Sequence, residues 1–509
     1  MVNQDLSEMV RQSWEDIRIE MIEVSRQLWS LAEIGMLERQ SSSLLADWCE
    51  SNGFVVERAA GGLPTAFTAR YGKGKPTIGL LAEYDALPGL ENSALPRRDF
   101  VEKEAGHGCG HNWIGAGTTG AAIAAKKVLS KLKIDGEVVL FGCPGEELLW
   151  GKVALLREGV FDGTDVLLAT HGSYKTAAKV RPNQALISGE FVYSGEAGHS
   201  SRGGSQNALD SVELAVQSIE RLRAHQFPDC SVEHTVRTGG LMPNISPDEA
   251  RLWVYVRHVD YERAKEVYHY VVRICQGAAS LNNTRCREQF LTATRSYLPN
   301  ETIGKLLLRQ LEIIGPPKWT DEHITWFEEL VSACAPGEEF ELHRGIDYID
   351  DGYDTSSQDD GEASWHIPLG RISWALPTAV PFHHWARTAC AGSDAEVPSA
   401  LVASEALVLA IMELVTEPAI VKTARDELNQ RRSGKPSPPL VGAFNTFTCD
   451  PSSFWNNTWN EPLTIEEAVN NPENNALVTP TVVMAWPVKN RFFISVLGRR
   501  NFCRNLLGL

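Results

Sequence analysis

Apolar and polar residues follow one another along this chain with two different periods, and these predict both helices and strands. Over residues 5–36 apolar side chains recur at every third or fourth position, which is typical of an amphipathic helix. The same spacing predicts a second helix over 40–51. At 76–83, 137–143 and 165–170 the apolar residues instead form unbroken runs. Such runs are typical of strands that are buried on both faces, as in a parallel sheet.

Strands and helices alternate through most of the remaining chain. The further predicted elements are strands at 54–58 and 65–71, helices at 113–132, 302–314, 321–334 and 394–416, and an apolar run at 371–377. Alternation of this kind predicts an α/β fold built on a mixed, mostly parallel sheet.

The stretch between residues 186 and 297 has a different order of elements. Strands are predicted at 185–194, 231–241, 249–258 and 285–291, and helices at 206–225 and 261–281. This is the order of the ferredoxin-like βαββαβ fold. We therefore expect a separate domain that is inserted into the α/β domain.

These two folds divide the chain into four parts. The α/β domain comprises 1–185 and 298–430, and the inserted domain comprises 186–297. Residues 431–509 begin with a linker rich in Ser and Pro and continue into stretches rich in Asn and Trp. No fold or role is predicted for this C-terminal extension.

The composition and net charge exclude some classes of binding partner. The 509 residues are 43% hydrophobic and 22% charged, as in soluble globular proteins. A net charge of −17 argues against nucleic acid, whose phosphates need a basic face. No uninterrupted apolar stretch suits a membrane span, and no secretory signal is visible. Ten cysteines without the spacing of a disulfide framework predict reduced thiols and a cytoplasmic protein.

One loop concentrates potential metal ligands. Residues 106–112 read Gly-His-Gly-Cys-Gly-His-Asn, and the glycines allow a tight turn. Cys109 and His111 lie two residues apart, and a thiolate and an imidazole are both metal ligands. The loop alone is equally compatible with a buried thiol and two surface histidines.

Three successive buried strands end in acidic residues or a histidine. Glu83 ends the first, Glu146 and Glu147 follow the second, and His171 follows the third. The carboxyl ends of parallel strands meet at one edge of a sheet, where ligands bind. Together with His383, which follows the apolar run at 371–377, the candidate metal ligands are Cys109, His111, Glu147, His171 and His383. Five such donors hold two divalent ions if one of them, such as a thiolate, is shared.

Glu146 stands directly before the candidate ligand Glu147 and is free to point elsewhere. A carboxylate beside a metal-activated water suits general acid–base catalysis. Adjacent acids are otherwise an ordinary solvated pair.

The loop at 106–112 and the Pro-Gly-Glu-Glu sequence at 144–147 resemble the aminoacylase/carboxypeptidase-type dinuclear metallopeptidases, in their amidohydrolase branch. Longer motifs at 81–88, 142–147 and 357–365 are most similar to the p-aminobenzoyl-glutamate hydrolase-like subgroup. The resemblance extends over about residues 10 to 425.

This resemblance implies that the five candidate ligands bind one or two divalent ions, zinc or manganese in the first place, with cobalt and nickel also compatible. It implies that Glu146 is the general base and that Asp85 steers the metal site. Glu83 stands where most other branches have a histidine ligand, so we do not count it as a ligand. Of His383 and His384, the family's spacing of Pro, His and Trp selects His383.

The inserted domain is similar to the family's lid, which also makes the dimer contact, so a homodimer is implied. Within it, His199 corresponds to a histidine that stabilises the oxyanion, often in the other subunit. Asn244 corresponds to a turn residue that contacts substrate, and Arg257 is placed to pair with a substrate carboxylate. Each of these three residues also fits an ordinary surface position.

The resemblance implies a metal-dependent amidohydrolase or metallopeptidase acting on a small molecule. It would cleave the amide bond of an N-acyl or N-aroyl amino acid, or of a dipeptide-like substrate, through a metal-activated water. Two alternatives remain open from the sequence. The same site could release ammonia from an aromatic amine, as a deaminase does, or the protein could be a catalytically silent binding or regulatory relative.

Overall fold

A computed structural model describes residues 4–102, 104–203, 206–434, 437–440 and 454–455. The strands in chain order are β1 (Val55–Arg58), β2 (Phe67–Lys73), β3 (Thr77–Glu83), β4 (Leu87–Pro88), β5 (Ala105–Gly106), β6 (Gly136–Cys143), β7 (Val166–Ser173), β8 (Ala177–Lys179), β9 (Ala185–Ser194), β10 (Gly198–His199), β11 (Ser231–Thr238), β12 (Ile245–Ser246), β13 (Glu249–His258), β14 (Arg285–Thr294), β15 (Asp347–Ile349) and β16 (Leu369–Ala375). The α-helices are α1 (Gln4–Leu31), α2 (Arg39–Ser51), α3 (His111–Leu132), α4 (Gly151–Arg157), α5 (Ala208–His225), α6 (Tyr261–Leu281), α7 (Glu301–Ile314), α8 (Asp321–Cys334), α9 (Asp360–Ser364), α10 (Trp385–Ala391), α11 (Val397–Thr416) and α12 (Pro418–Arg431).

The central sheet has eight strands in the order β1-β2-β6-β3-β7-β16-β8-β15. Its middle strands β6, β3, β7 and β16 are mutually parallel. Antiparallel pairs occur towards the two sides, where β2 pairs with β6 and β8 pairs with β16. A mixed sheet with a parallel middle confirms the predicted α/β fold class.

Both faces of the central sheet are covered, which is why its middle strands are apolar without interruption. Every residue of β3 is buried. Ile78, Leu80 and Ala82 point to the side of α1, α3, α7 and α11, where they join one hydrophobic core. Leu81 points to the opposite side, into a second core that also contains residues of α4 and of strands β9 to β14. The period-2 alternation of a strand thus serves two apolar cores at once.

Helix α1 follows the predicted amphipathic pattern but is shorter than the predicted 5–36. It ends at Leu31 because the backbone turns into the left-handed region at Ala32 (φ 45°) and again at Met36 (φ 66°). Such φ values interrupt a right-handed helix for any residue with a side chain. The apolar spacing continues past the turn because Met36 is also buried, in the second core.

Strands β9, β11, β13 and β14 form a separate antiparallel sheet in the order β11-β13-β9-β14. Helices α5 and α6 pack on each other and on this sheet. The chain order β9-α5-β11-β13-α6-β14 and this strand order are those of the ferredoxin-like fold, which confirms the predicted inserted fold. We call residues 185–294 the inserted unit.

Helix α11 is the most apolar long helix among the described residues. By length and composition alone it would suit a membrane span, although Glu405 and Glu413 interrupt its apolar sequence. Most of the helix is buried within the protein, where it packs against α1, α3 and α7. Its hydrophobicity is therefore that of a core helix.

Four helices, α4, α9, α10 and α12, have no counterpart among the elements predicted from the sequence. Helix α4 has only seven residues, too few for a period to be recognised. Helix α12 is mostly polar and buries only Ala424 and Leu428. Most of the C-terminal extension, 431–509, lies outside the described residues.

Candidate metal and catalytic site

The loop that carries Cys109 is held in a tight conformation before α3 begins. Its turn is closed by backbone hydrogen bonds from Gly108 N to Gly106 O (2.8 Å) and from Gly110 N to His107 O (3.1 Å). Gly110 has φ 84°, and a Cβ there would lie 1.8 Å from the Arg387 guanidinium. Only glycine fits at this position. The turn therefore places the Cys109 thiol and the His111 imidazole side by side.

The other candidate ligands come from the carboxyl ends of adjacent strands. Glu147 follows β6, His171 lies near the end of β7, and His383 follows β16. In the sheet β6 and β7 flank β3, and β16 lies beside β7, with Asp85 just beyond the end of β3. The sheet edge therefore collects residues that are far apart in the sequence, as expected for an α/β sheet.

The five candidate ligands form two groups that share one atom. Ligand atoms of Cys109, His111 and His171 lie within 4.8 Å of one another, and so do those of Cys109, Glu147 and His383. Cys109 Sγ is 3.3 Å from His171 Nε2. His383 Nε2 is 3.3 Å from Glu147 Oε2. Cys109 is the residue common to both groups and would be a ligand available to each of them.

The donor atoms in these two groups fit divalent metal ions. His111 Nε2 and Glu147 Oε1 are buried and have no hydrogen-bond partner among the described residues. Buried polar atoms without partners are rare unless a ligand completes them. His171 Nδ1 donates to its neighbour's carbonyl, Gly172 O (2.7 Å), which leaves Nε2 as the ligand atom. Sulfur, imidazole and carboxylate donors together suit divalent transition metal ions.

Asp85 orients two of these ligands. Its Oδ1 accepts a hydrogen bond from His111 Nδ1 (2.8 Å), and its Oδ2 accepts one from the Glu147 backbone N–H (2.9 Å). The first bond turns His111 Nε2 towards the cluster, as carboxylates do for metal-ligating histidines. Burial alone would raise the pKa of Asp85, but the charge of His111 and this hydrogen bond lower it.

Opposite charges lie side by side in this cluster. Burial would raise the pKa of Cys109, yet the neighbouring imidazoles of His171 and His111 lower it far below its ordinary value. The charge of Glu147 raises the pKa of His383 to about 9. Burial raises the pKa of Glu147 to about 7, against the charge of His383. A thiolate and a carboxylate are the forms that metals bind.

Glu146 is buried beside this cluster and belongs to neither of these two ligand groups, although one of its oxygens forms a further group with Glu83 and His111. Its Oε2 lies 3.7 Å from His111 Nε2, and its Oε1 has no hydrogen-bond partner among the described residues. Burial, followed by the negative charge of Glu83, raises the pKa of Glu146 well above its ordinary value, while Lys152 opposes the rise. A carboxyl with a raised pKa can hold a proton and deliver it to a reacting group.

Glu83 and Lys152 form a buried ion pair beside the site. Lys152 Nζ lies 2.7 Å from Glu83 Oε1 and 2.5 Å from Asp359 Oδ1, and the lysine and aspartate side chains are completely buried. Asp359 also accepts the Lys152 backbone N–H at 2.7 Å. Glu83 therefore uses one oxygen to bind the lysine, while its Oε2 faces His111 Nε2 at 3.7 Å.

The neighbouring residues His383 and His384 have different surroundings in the structure. His383 faces Glu147 and Cys109, and its backbone is in the left-handed region (φ 54°), anchored by a hydrogen bond from His383 N to Gly108 O (2.9 Å). A histidine with positive φ is uncommon and typical of functional sites. His384 instead caps α10, where its side chain accepts from Ala386 N (3.3 Å).

A cavity of about 850 Å³ opens over the cluster. This volume is in the range that holds a small ligand. Arg257 lines it, with its guanidinium 5.4 Å from the Tyr255 ring centre and its Nε 3.4 Å from Glu233 Oε2. Tyr255 donates from its hydroxyl to the Glu147 carbonyl at 3.4 Å, so this strand of the inserted unit closes onto the site.

His199 and Asn244 lie elsewhere in the inserted unit. His199 pairs with Ile245 in the short β10–β12 ribbon, and Ser200 N donates to Asn244 O at 3.2 Å, so the two residues are neighbours. Both are exposed and are not among the cavity-lining residues of this chain. Within one chain the structure does not bring them to the metal ligands.

Neither the buried Lys152 nor the aromatic residues of the cavity wall were predicted from the sequence. Lys152 carries no motif, and its partner Asp359 is distant in the chain; the only available signal was the motif at 357–365. Trp253 and Tyr255 both line the cavity from β13. Their spacing of two residues places them on one face of a strand, which could have identified them.

Several similar proteins are hydrolases of small amide or peptide substrates. A model of a peptidase dimerisation domain matches residues 183–281. One of the subunits of the p-aminobenzoyl-glutamate hydrolase of Escherichia coli (strain K12) is 28% identical over 465 residues, which cover 85% of this chain and 97% of that protein. The Xaa-Arg dipeptidase of Mus musculus is 26% identical over 421 residues, which cover 79% and 88%. A solved dinuclear metal binding peptidase of the M20 family from Bacillus subtilis matches with a TM-score of 0.51 at 18% identity, over 78% of this chain and 99% of that chain.

The fold, the shared-thiolate cluster and these relatives define a metal-dependent hydrolase of small amide or peptide bonds. The chain is similar to peptidases of the M20 family, and its inserted unit contains most of the segment that matches the peptidase dimerisation domain.

Proposed function

We propose that this enzyme hydrolyses the amide bond of a small N-aroyl or N-acyl amino acid, with Glu146 as the group that moves the proton. One observation carries the proposal. The buried Glu146 carboxyl stands at the edge of two donor groups that share Cys109, beneath a cavity of about 850 Å³. Two relatives are named as a p-aminobenzoyl-glutamate hydrolase and a dipeptidase, and both names support this class of substrate.

Each residue of the site has a role in this reaction. When bound, divalent ions would polarise the amide carbonyl and make a coordinated water more acidic. Glu146 takes a proton from the attacking water and delivers it to the leaving nitrogen, which needs a carboxyl that exchanges protons near neutral pH. Asp85 keeps His111 in the orientation that presents Nε2 to the cluster.

Arg257 supplies a positive group for an amino acid carboxylate. Its guanidinium lies in the cavity wall against Tyr255, and its partner Glu233 is about half exposed. A planar guanidinium binds a carboxylate through two parallel hydrogen bonds. We propose that Arg257 binds the carboxylate of the amino acid that leaves.

We further propose zinc or manganese as the ions, and a homodimer as the active form. The matched dimerisation domain supports the dimer. His199 and Asn244, together on an exposed ribbon, would then serve the site of the second subunit, where His199 stabilises the oxyanion. The eight cysteines that the structure describes are all free thiols, which supports the cytoplasm as the location.

A substrate panel tests the proposal. The enzyme loaded with zinc or with manganese is incubated with N-benzoyl, N-acetyl and p-aminobenzoyl amino acids and with aryl amines, and free amino acid and ammonia are measured separately. We expect free amino acid from the amides. Release of ammonia alone would favour a deaminase and contradict the proposal.

The Glu146→Gln variant tests the proton transfer. We expect kcat to fall by a factor of about 10² or more, because proton transfer by a positioned side chain typically contributes about 10² to 10⁴. Metal content, measured by elemental analysis, should stay at the wild-type level, since Glu146 lies outside both ligand groups. Full activity with metal bound would refute the assigned role.

A further inference from the structure

Two residues of the C-terminal extension, Phe454 and Trp455, pack between the α/β domain and the inserted unit. The Phe454 side chain is only 2% exposed. Its ring meets Trp150 edge to face at 5.0 Å and Trp253 at 5.2 Å, measured between ring centres. Arg237 lies over the same ring at 4.1 Å and donates to the Phe454 carbonyl at 2.5 Å. Phe454 thus anchors this part of the chain to both domains.

Trp455 continues from this anchor to the site. Its indole Nε1 donates to the Gly35 carbonyl at 3.0 Å. Gly35 in turn packs against the backbone that precedes the general base, because a Cβ on Gly35 would lie 3.2 Å from Gly145 Cα. The partly buried indole lines the same cavity as Glu146 and Glu147.

Trp455 belongs to an aromatic chain that reaches a metal ligand. The Trp455 ring lies 5.4 Å from Phe454, and the Trp253 ring lies 5.3 Å from Tyr255. Tyr255 donates to the Glu147 carbonyl at 3.4 Å. Three of these four aromatic residues, Trp253, Tyr255 and Trp455, line the cavity.

Other residues of the cavity wall are ionic. Lys179 pairs with Asp354 at 2.7 Å, Arg371 pairs with Asp360, and Arg257 lies against the ring of Tyr255. A substrate with one flat apolar end and one carboxylate, bound by Arg257, matches this lining. An acetyl group is too small to cover an aromatic wall of this extent, whereas an aromatic acyl group offers a ring face for stacking.

We propose that Trp455 determines the specificity for the acyl part of the substrate, by stacking on an aromatic acyl group. This inference rests on the proposed amide hydrolysis and names its preferred substrates as N-aroyl amino acids. It also assigns the C-terminal extension a role in the site, which no pattern in its sequence indicates.

Binding to a variant with strongly slowed turnover tests the inference. In the Glu146→Gln background of the full chain, calorimetry measures the dissociation constants of N-benzoyl-glutamate and N-acetyl-glutamate for three proteins: one that keeps Trp455, one with Trp455→Leu and one with Trp455→Phe. We expect Trp455→Leu to weaken benzoyl binding about tenfold more than acetyl binding. Trp455→Phe should retain most of the preference, because it keeps a ring face while losing the hydrogen bond to Gly35.

Kinetics in the active enzyme separate this inference from the proposed function. Trp455→Leu should lower kcat/KM for the benzoyl substrate about tenfold and for the acetyl substrate less than about threefold, and Phe100→Ala, at an exposed aromatic residue, should change neither. Equal losses on both substrates, or an unchanged ratio of the two dissociation constants, would overturn the role of Trp455. If the wild type cleaved neither amide, the proposed function would fall, and the ratio of dissociation constants would still decide whether Trp455 selects aromatic ligands.

Discussion

Substituting Lys152 by methionine removes the positive charge that Glu83 and Asp359 share. The ammonium lies 2.7 Å from Glu83 and 2.5 Å from Asp359, and its side chain has no exposure to water. Methionine has a similar length, so the change in packing is small. The main effect is therefore that two buried carboxylates lose their shared counter-charge.

The magnitude follows from burial. Breaking a buried ion pair by removing one partner destabilises a protein by about 3 to 5 kcal/mol, because the other charge stays buried and uncompensated. Burial already raises the pKa of Asp359 to about 7 even with Lys152 present, so the loss is partly relieved by protonation. At an unfolding entropy of about 2 cal/mol/K per residue, we expect the melting temperature to fall by roughly 3 to 6 °C.

Thermal unfolding followed by circular dichroism measures the effect. Lys175→Met is the matched control, because Lys175 pairs with Asp347 at 2.6 Å but is about half exposed. Exposed pairs contribute about 0 to 1 kcal/mol, so the control should change the melting temperature by about 1 °C or less. Adding Asp359→Asn to Lys152→Met should recover part of the loss. If Lys152→Met and Lys175→Met gave equal shifts, the reasoning from burial would be wrong.

Three further predictions concern the metal ligands and a histidine far from them. Cys109→Ser should lower the metal content measured by elemental analysis by at least half, because Cys109 belongs to both ligand groups, whereas Cys143→Ser should not; equal contents would contradict the shared thiolate. Asp85→Asn should weaken metal affinity by about 10- to 100-fold in competition with a chelator, as for other carboxylates that orient a histidine ligand, and an unchanged affinity would contradict this role. Burial, aided by the charges of Arg295 and Arg432, lowers the pKa of His366 from 6.5 to about 4, so its contribution to stability is fully present above pH 6.5 and is lost as the pH falls towards 4. His366→Gln should remove this part of the acid sensitivity. It amounts to less than about 3 kcal/mol, because water partly screens the ring. An equal fall in melting temperature from pH 7 to pH 5 in the variant and the wild type would refute the prediction.

The sequence allowed the fold to be predicted where burial dominates the choice of residues. Strand β3 is an unbroken apolar run because helices cover one face of the sheet, and α4 and the inserted unit cover the other. Helices α7 and α8 begin and end within one residue of their predicted bounds, since each has a regular apolar face. The end of α1 was predicted too late, because a left-handed residue such as Ala32 leaves no trace in the apolar spacing.

The candidate site was predictable only where its residues follow a recognisable local pattern. Cys109 and His111 share one loop, and Glu147 and His171 end apolar runs, so their meeting follows from the sheet. Lys152 lies in a short helix and pairs with a residue beyond the inserted unit, which no local pattern indicates. Trp455 reaches the cavity from the C-terminal extension, for which the sequence predicted no fold or role.

The order in which the ligands occur along the chain has a consequence for biosynthesis. Cys109, His111, Glu147 and His171 precede the inserted unit, but His383 follows it. The first ligand group can therefore assemble while the chain is still growing, whereas the second requires a contact of very high sequence separation that closes late in folding. Because metal binding stabilises the state in which the ligands have met, an ion bound through His383 would stabilise the completed α/β domain.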